Sequence, residues 1–207
     1  MVWTIKLVRV LFLNGMKQVV IIAGPAGSGK DSIITAILKR FSNAERMVTA
    51  TTRAMRPGEE SGVSYHFMTN DRFKEEITKG NILEYYYREK TDTYYGTYKP
   101  DIDDRIARGK IVFCQIQIVG AKYFKEHYNA TTFFIQPASF DAFEKRVRER
   151  APMSDIEWQE RLEFTKREIQ EESPWYDYRI QNDDGKLDAA VLSIVEILKK
   201  EGYTLTQ

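Results

Sequence analysis

Apolar residues along the chain form short, continuous runs that alternate with segments of helical periodicity. The apolar runs lie at 19–22, 111–117 and 132–136, with a shorter one at 178–181. The helical segments lie at 31–40, 139–150, 154–172 and 187–200. Strands that are apolar throughout and separated by amphipathic helices are typical of a parallel sheet covered on both faces. The pattern therefore predicts an α/β fold.

The pattern of apolar and polar residues changes between about 51 and 98. Short aromatic and polar runs are separated there by residues that are typical of turns. These residues are the pairs Pro57-Gly58 and Ser61-Gly62. Such a stretch predicts a small mixed β-subdomain inserted into the α/β core, which would then comprise 17–50 and 99–207. The whole chain of 207 residues has the length of one domain.

Residues 1–16 form an N-terminal extension of uncertain order. The segment is apolar, but Lys6 and Arg9 interrupt it, and it is too short to span a bilayer. An additional strand, a loosely ordered arm and an upstream start all remain open as interpretations.

The amino-acid composition limits the kinds of partner, compartment and metal site that we expect. The chain has 31 Lys and Arg against 30 Asp and Glu, a net charge of +1, so we expect neither nucleic acid nor a membrane as a partner. The single cysteine, Cys114, lies in an apolar run, which predicts a buried thiol in a reducing, cytoplasmic compartment. Neither His66 nor His127 has a neighbour at ligand spacing, so a structural zinc site is not expected.

Residues 24–30 read Gly-Pro-Ala-Gly-Ser-Gly-Lys and lie between an apolar run and a helical segment. A glycine-rich turn in this place presents backbone N–H groups to phosphate oxygens, and the helix N-terminus adds to the attraction. Lys30 would then reach the β- and γ-phosphates. The predicted ATP-binding residues of this P-loop are Gly24, Pro25, Ala26, Gly27, Ser28, Gly29, Lys30, Asp31 and Ser32.

Further motifs follow in a fixed order. They are T-T-R-A-M-R-P-G-E at 51–59, G-V-S-Y-H-F at 62–67, a lone Glu84, Y-Y-G-T at 94–97 and N-D-D at 182–184. In this order the chain resembles the guanylate kinase family from about residue 17 onward. The resemblance implies a P-loop NTPase sheet, an acceptor-binding subdomain at about 51–98 and a helical lid at about 146–161.

The resemblance also implies an acceptor site. Arg53 and Arg56 lie three apart on one loop, and guanidinium groups bind phosphate oxygens bidentately. In the family these positions hold the acceptor monophosphate together with two tyrosines, and a glutamate accepts hydrogen bonds from guanine. The implied acceptor-binding residues are Thr49, Arg53, Arg56, Tyr65, Glu84, Tyr95, Thr97 and Gln117.

A cluster of arginines downstream resembles the lid of the family. Arg146, Arg150 and Arg161 match the lid arginines and would act with Lys30 as catalytic cations. Arg148 does not match, and its spacing to Glu144 is that of an ordinary i, i+4 helix pair. Asn182 resembles a family residue near the adenine and ribose, although a plain turn residue is an equal reading.

The chain departs from the family pattern around the expected metal. The family's third core strand ends in D-I-D-x-Q-G, whereas this chain has Gln115 and Gln117 at the two acidic positions. The Ser or Thr that normally follows the P-loop lysine is replaced by Asp31. We hypothesise that the carboxylate has been relocated, so that Asp31 binds or orients Mg²⁺, with Ser32 as a competing ligand.

The resemblance implies an enzyme that transfers the γ-phosphoryl of ATP to a nucleoside monophosphate, GMP or dGMP, with Mg²⁺ as cofactor. Two alternatives remain open. The first is a kinase of the same fold that acts on ribose 1,5-bisphosphate or another nucleotide, which Asp31 favours. The second is a non-catalytic interaction module, which the presence of Lys30 opposes. A monomer and a homodimer are both compatible with the sequence.

Overall fold

The computed structural model describes residues 4–5, 17–137, 139–150 and 153–207. The strands are β1 Thr4–Ile5, β2 Val19–Ala23, β3 Ala44–Arg46, β4 Ala50–Thr51, β5 His66–Phe67, β6 Ile82–Arg88, β7 Thr93–Tyr98, β8 Ile111–Cys114, β9 Thr131–Pro137 and β10 Tyr178–Asn182. The α-helices are α1 Lys30–Arg40, α2 Asn70–Lys79, α3 Lys99–Ala107, α4 Ile118–Tyr128, α5 Phe140–Arg150, α6 Asp155–Arg167 and α7 Leu187–Lys200.

Five strands form a parallel sheet in the order β10-β9-β2-β8-β3. Successive residues of β2 alternate between the two faces and are all buried: Val20 and Ile22 face one hydrophobic cluster, and Val19 and Ile21 face the other. Helices α1 and α7 cover the first face, and α3 and α4 cover the second. The predicted α/β fold is confirmed, and so is the burial of Cys114, which is fully buried in the second cluster.

A second, mixed sheet has the order β1-β6-β7-β4-β5. Strands β6 and β7 form an antiparallel hairpin, and α2 packs on it through Phe73, which is fully buried with Ala50 and Ile82. This sheet is the mixed β-element that the sequence predicts between about 51 and 98, although the boundaries of an acceptor subdomain remain a prediction. Within the predicted extension 1–16, only 4–5 are described, as a strand paired with β6; the rest lies outside the described residues.

Most of the predicted elements are confirmed, with one shorter than expected. The predicted strand 111–117 ends at Cys114, because the side chain of Gln115 accepts a hydrogen bond from Arg46 and Gln117 is the N-cap of helix α4. The predicted helix 154–172 begins with a capping box between Ser154 and Glu157 and ends in a π-helical turn over Glu168–Glu172. Helices α2, α3 and α4 were not predicted.

The parallel arrangement places the polar residues of four strand ends at one edge of the sheet. The P-loop follows β2, Arg46 ends β3, Gln115 follows β8, and Asn182 ends β10. None of the helices within the described ranges is long and apolar enough to cross a membrane.

Candidate active site

The P-loop conformation depends on glycine. Gly24, Gly27 and Gly29 all have positive φ, at 133°, 100° and 91°, which other L-residues rarely adopt. A Cβ on Gly24 would lie 2.4 Å from the carbonyl oxygen of Ile135. Gly29 is the N-cap of α1 and provides no side-chain cap, so the first-turn N–H groups point to the space in front of the helix. This is an anion-binding arrangement.

Two side chains hold the loop in place. Lys30 Nζ donates to the carbonyl oxygens of Gly24 and Pro25, both at 2.7 Å, so the ammonium lies over the loop. Asn182 is buried and donates from Nδ2 to the carbonyl oxygen of Ser28 at 2.8 Å. The structure therefore places Asn182 at the end of β10 as a brace for the P-loop, next to the predicted nucleotide site.

A cavity of about 530 Å³ opens in front of the P-loop, a volume typical of small-molecule sites. Its lining includes Lys30, Asp31, Gln115 and Asn182, and on the lid side Arg146. Arg146 donates from Nε to Asp184 at 2.6 Å and from Nη2 to the carbonyl oxygen of Asn182 at 3.1 Å. We call it the donor cavity, because the predicted ATP-binding residues Lys30, Asp31 and Asn182 line it.

The predicted lid arginines are not gathered at one point. Arg146 lines the donor cavity, whereas Arg161 lines a second cavity of about 560 Å³; Lys30 belongs to both. Arg150 ends α5, but its side chain lies outside the described part of the chain. Arg148 donates to Glu144 at 2.8 Å, which confirms the expected i, i+4 pair.

The second cavity also contains an acid with an unusual pKa. Burial and the neighbouring carboxylate of Glu172 raise the pKa of Glu168 to about 7, against the opposing charge of Lys30. Glu168 opens the π-helical turn, a feature often found at functional sites. Gln117 lines the same cavity, so the structure places this predicted acceptor residue in one cavity with Lys30 and Arg161.

The predicted phosphate-binding loop of the acceptor is built around Arg53. Arg53 donates to Glu59 at 2.7 Å and lies over the ring of Tyr65, 5.5 Å from its centroid. Tyr65 in turn meets Tyr95 edge to face at 6.2 Å. The hydrogen bond from Arg53 to Glu59 is the main reason why the pKa of Arg53 is raised. Arg56 contributes its backbone N–H to Glu59 at 2.8 Å, and its side chain is exposed.

The carboxylate of Glu84 is almost completely buried, with 7% of the residue exposed. Its Oε1 accepts from Thr97 Oγ1 at 2.9 Å, while its Oε2 has no hydrogen-bond partner among the described residues. Burial raises the pKa of Glu84, and the Thr97 hydrogen bond opposes that shift. Gly120 allows α4 to approach, because a Cβ there would lie 3.1 Å from Glu84 Oε1. A buried carboxylate oxygen without a partner is rare in native proteins and is open to a donor group from a ligand.

A third cavity, of about 370 Å³, lies on the acceptor side. Thr49 and Tyr65 line it, as predicted for acceptor residues, together with Arg46 and Gln115. Gln115 lines all three cavities. It therefore marks the junction between the donor and acceptor sides.

Arg46 is a functional candidate that the sequence did not reveal. Its Nη2 donates to Asp31 Oδ1 at 2.5 Å and to Gln115 Oε1 at 2.6 Å. Burial acts to raise the pKa of Asp31, but hydrogen bonds from Arg46 and Gln115 and the charges of Arg46 and Lys30 lower it below its ordinary value. The available signal was an arginine in the run 44–48, which precedes the T-T-R motif at 51–53 by two residues.

A second network, behind the acceptor side, was also not predicted. The buried Asp101 accepts from the backbone N–H of Val48 at 2.9 Å and from Arg105 Nε at 2.8 Å, and lies 2.9 Å from His66 Nε2. Burial alone would raise the pKa of Asp101, but the hydrogen bonds from His66, Arg105 and Val48 lower it to about 2. The network fixes α3 against the segment that leads from β3 to β5.

The residues suit Mg²⁺ only as an ion held largely by nucleotide phosphates. The described residues contain no cluster of three or more His, Cys, Asp or Glu side chains that could hold a metal by themselves. Asp31 provides a single carboxylate, 57% exposed, beside Lys30 and the exposed Ser32. One carboxylate completed by phosphate oxygens and water is a common way of binding Mg²⁺, so the site fits the ion in that form.

Comparison with known proteins gives one consistent result. The family model for guanylate kinase matches residues 16–201. The guanylate kinase of Synechocystis sp. is 34% identical over 185 residues, which is 89% of this chain and 94% of the relative. That of Vibrio parahaemolyticus is 38% identical over 190 residues, 90% and 89% of the two chains. The crystal structure of guanylate kinase from Anaplasma phagocytophilum has the same fold, with a TM-score of 0.66 at 24% identity over 93% of this chain and 89% of that one.

Proposed function

Because this chain belongs to the guanylate kinase family, we propose that it transfers the γ-phosphoryl of ATP to GMP with the residues described above. ATP-dependent phosphorylation of GMP is the activity that the family and its relatives support. The alternative, a kinase of the same fold that acts on a different acceptor, is not favoured. Among the structural features, the buried carboxylate of Glu84 carries the acceptor assignment. Its unpartnered Oε2 suits the N1–H and 2-amino donors of guanine.

The donor side would hold ATP by its phosphates. The backbone N–H groups of the P-loop bind phosphate oxygens, and Lys30 moves its ammonium from the loop carbonyls to the β- and γ-phosphates. Arg146 already lines the same cavity and would add positive charge there. Phosphoryl transfer has a loose transition state with charge on the equatorial oxygens, so positioning and cations contribute more than a general base.

The acceptor side would bind GMP at its phosphate and at its base. Arg53 and Arg56, with the hydroxyl groups of Tyr65 and Tyr95, bind the monophosphate, while Glu84 binds the base. The stacking of Arg53 over Tyr65 supports this role because it limits the rotamers of the guanidinium before the ligand arrives. Closure of the lid over both substrates, which brings Arg161 toward Lys30, would exclude water as a competing acceptor.

Mg²⁺ is the cofactor that this family of ATP-using kinases implies. When bound, it would neutralise charge on the β- and γ-phosphates. Asp31, with Ser32 as the alternative, is the residue of this chain that would bind or orient the ion. The buried thiol of Cys114 supports a reducing compartment such as the cytoplasm.

The direct test is ADP production by the purified protein with ATP and Mg²⁺ against a panel of acceptors. The panel contains GMP, dGMP, AMP, CMP, UMP and ribose 1,5-bisphosphate. We expect turnover with GMP and dGMP and at least about 100-fold lower kcat/KM for the other nucleotides, because they lack the guanine donors. Turnover on the sugar bisphosphate alone would overturn the acceptor assignment.

A further inference from the structure

Arg46 was not predicted as a site residue, but it contacts residues that line both the donor and the acceptor cavities. It ends β3, pairs in register with Phe113 of β8, and reaches across the carboxyl edge of the sheet to the start of α1. Its two hydrogen bonds connect Asp31, in the donor cavity, with Gln115, which lines both the donor and acceptor cavities. The three side chains therefore lie between the donor cavity and the acceptor cavity.

Two hydrogen bonds from one guanidinium join the three side chains, which we call the Asp31–Arg46–Gln115 triad. Arg46 donates to both partners, and the side chain of Gln115 helps Arg46 to lower the pKa of Asp31. The triad carries one negative and one positive charge and is neutral as a whole. Asp31 is 57% exposed and Arg46 38% exposed at their side chains, so both remain accessible to a ligand.

The neutrality of the triad matters because of what lies beside it. Asp31 directly follows Lys30 in the first turn of α1, where nucleotide phosphates are expected to bind. An uncompensated carboxylate at that place would repel the phosphates, since like charges a few ångströms apart interact strongly in a partly buried site. The guanidinium of Arg46 offsets this repulsion at a contact distance of 2.5 Å.

We propose that Arg46 is a positioning residue of the donor site, which neutralises Asp31 and thereby allows the nucleotide phosphates to bind even without Mg²⁺. The inference rests on the proposed function only in that ADP and ATP bind in front of the P-loop. Without Arg46, the free Asp31 carboxylate repels bare phosphates but attracts a cation that accompanies them. The charge of residue 46 therefore sets how strongly nucleotide binding depends on the metal.

The test measures ADP binding by titration calorimetry, once with Mg²⁺ and once with EDTA, in the wild type and in Arg46→Met. We expect Arg46→Met to lower the ADP affinity by about tenfold or more in EDTA and by less than about threefold with Mg²⁺. The double variant Arg46→Met/Asp31→Asn should recover the EDTA affinity to within about threefold of wild type, because it removes both charges together.

Two further variants separate positioning from general damage. Arg40→Met removes the same type of ion pair from the other end of α1, where Arg40 donates to Asp188 at 2.6 Å, and it should leave ADP affinity unchanged in both buffers. Arg46→Lys keeps the charge and should stay within about threefold of wild type in EDTA. It preserves the test if Arg46→Met does not fold.

Equal losses with and without Mg²⁺, or no recovery in the double variant, would mean that Arg46 only supports the fold, and the proposal would be wrong. If the wild type bound no ADP in either buffer, the donor assignment itself would fail. Binding by the wild type together with an unaffected Arg46→Met would overturn only the role of Arg46.

Discussion

Glu84 provides the sharpest prediction, because its substitution tests base recognition without removing volume. In Glu84→Gln the amide keeps an oxygen that can accept from Thr97, as Oε1 does now at 2.9 Å. The unpartnered Oε2 is replaced by an NH₂ group. That group would face the N–H donors of guanine with donors of its own.

The size of the effect follows from the bonds that are lost. A hydrogen bond to a charged group contributes about 1.5–3 kcal/mol, and guanine would make two to the carboxylate. A total loss of about 3 kcal/mol or more corresponds to at least about a 100-fold decrease in kcat/KM for GMP. The KM for ATP should not change, because the P-loop lies in a different part of the molecule.

Glu84→Gln, which should lower activity, should raise the stability of the unliganded protein relative to wild type as pH rises. Burial raises the pKa of Glu84, so the folded state holds its proton at pH values where the unfolded state has lost it. The free energy of unfolding of the wild type therefore decreases as pH rises above the ordinary pKa of 4.5. Glu84→Gln has no such ionisation, so its stability relative to wild type should increase from pH 5 to pH 8.

Steady-state kinetics with GMP and AMP, together with urea unfolding at the two pH values, check both parts. Glu76→Gln is the matched control: Glu76 is a second buried glutamate near the same sheet, but it already accepts from Asn81 at 2.6 Å, and its kinetics should match wild type. A Glu84→Gln enzyme that retained GMP turnover within about threefold, or lost ATP affinity in parallel, would refute base recognition by this residue.

Three other changes follow from the structure. Asp101→Asn should lower the free energy of unfolding by about 2 kcal/mol at pH 7, because the folded-state pKa of Asp101, about 2, lies below the ordinary 3.8. Urea unfolding should show this difference from wild type vanish as pH falls from about 4 to 2. Glu168→Gln should gain stability over wild type between pH 4.5 and 7, by at most about 3 kcal/mol, because the pKa of this acid is raised to about 7; a flat difference in urea midpoints would contradict this. Gly29→Ala should abolish ADP binding in calorimetry, since its Cβ would lie 2.2 Å from Asn182 Nδ2. Gly109→Ala also places alanine at a positive φ, but its Cβ would meet no atom of the described residues within 4 Å, so this variant should bind normally.

The sequence predicts the parallel sheet and the P-loop well, because both depend on local patterns. The run 19–22 is apolar throughout since both of its faces are buried, and the glycines at 24, 27 and 29 occur where positive φ is required. Helix α4 is harder to predict: it begins at Ile118 without a side-chain cap, so no capping signal precedes it. Helix α2 does have an N-cap, Thr69, and a terminal Gly80, but it lies within an otherwise β-rich segment.

Contacts between distant segments could not be predicted, since they depend on how the sheet edge is assembled. Arg46 and Asp31 are 15 positions apart, and Gln115 is a further 69 from Arg46; the parallel order of β2, β8 and β3 brings them together. The Asp101 network has the same origin, because its partners come from α3 and from either side of β4. The types of residue indicate which chemistry is available, whereas the topology of the fold determines which side chains contact one another.

The departures from the family pattern are best understood as one coupled change. With Asp31 at the start of α1, an aspartate at 115 would place two carboxylates around a single guanidinium, and one of them would resist ionisation. An amide at 115 instead adds no second negative charge, and it accepts from Arg46 at 2.6 Å while Asp31 accepts from the same guanidinium. The glutamine that looks like a lost metal ligand in the sequence therefore belongs to the same set of hydrogen bonds as Asp31, and Arg46 connects the two.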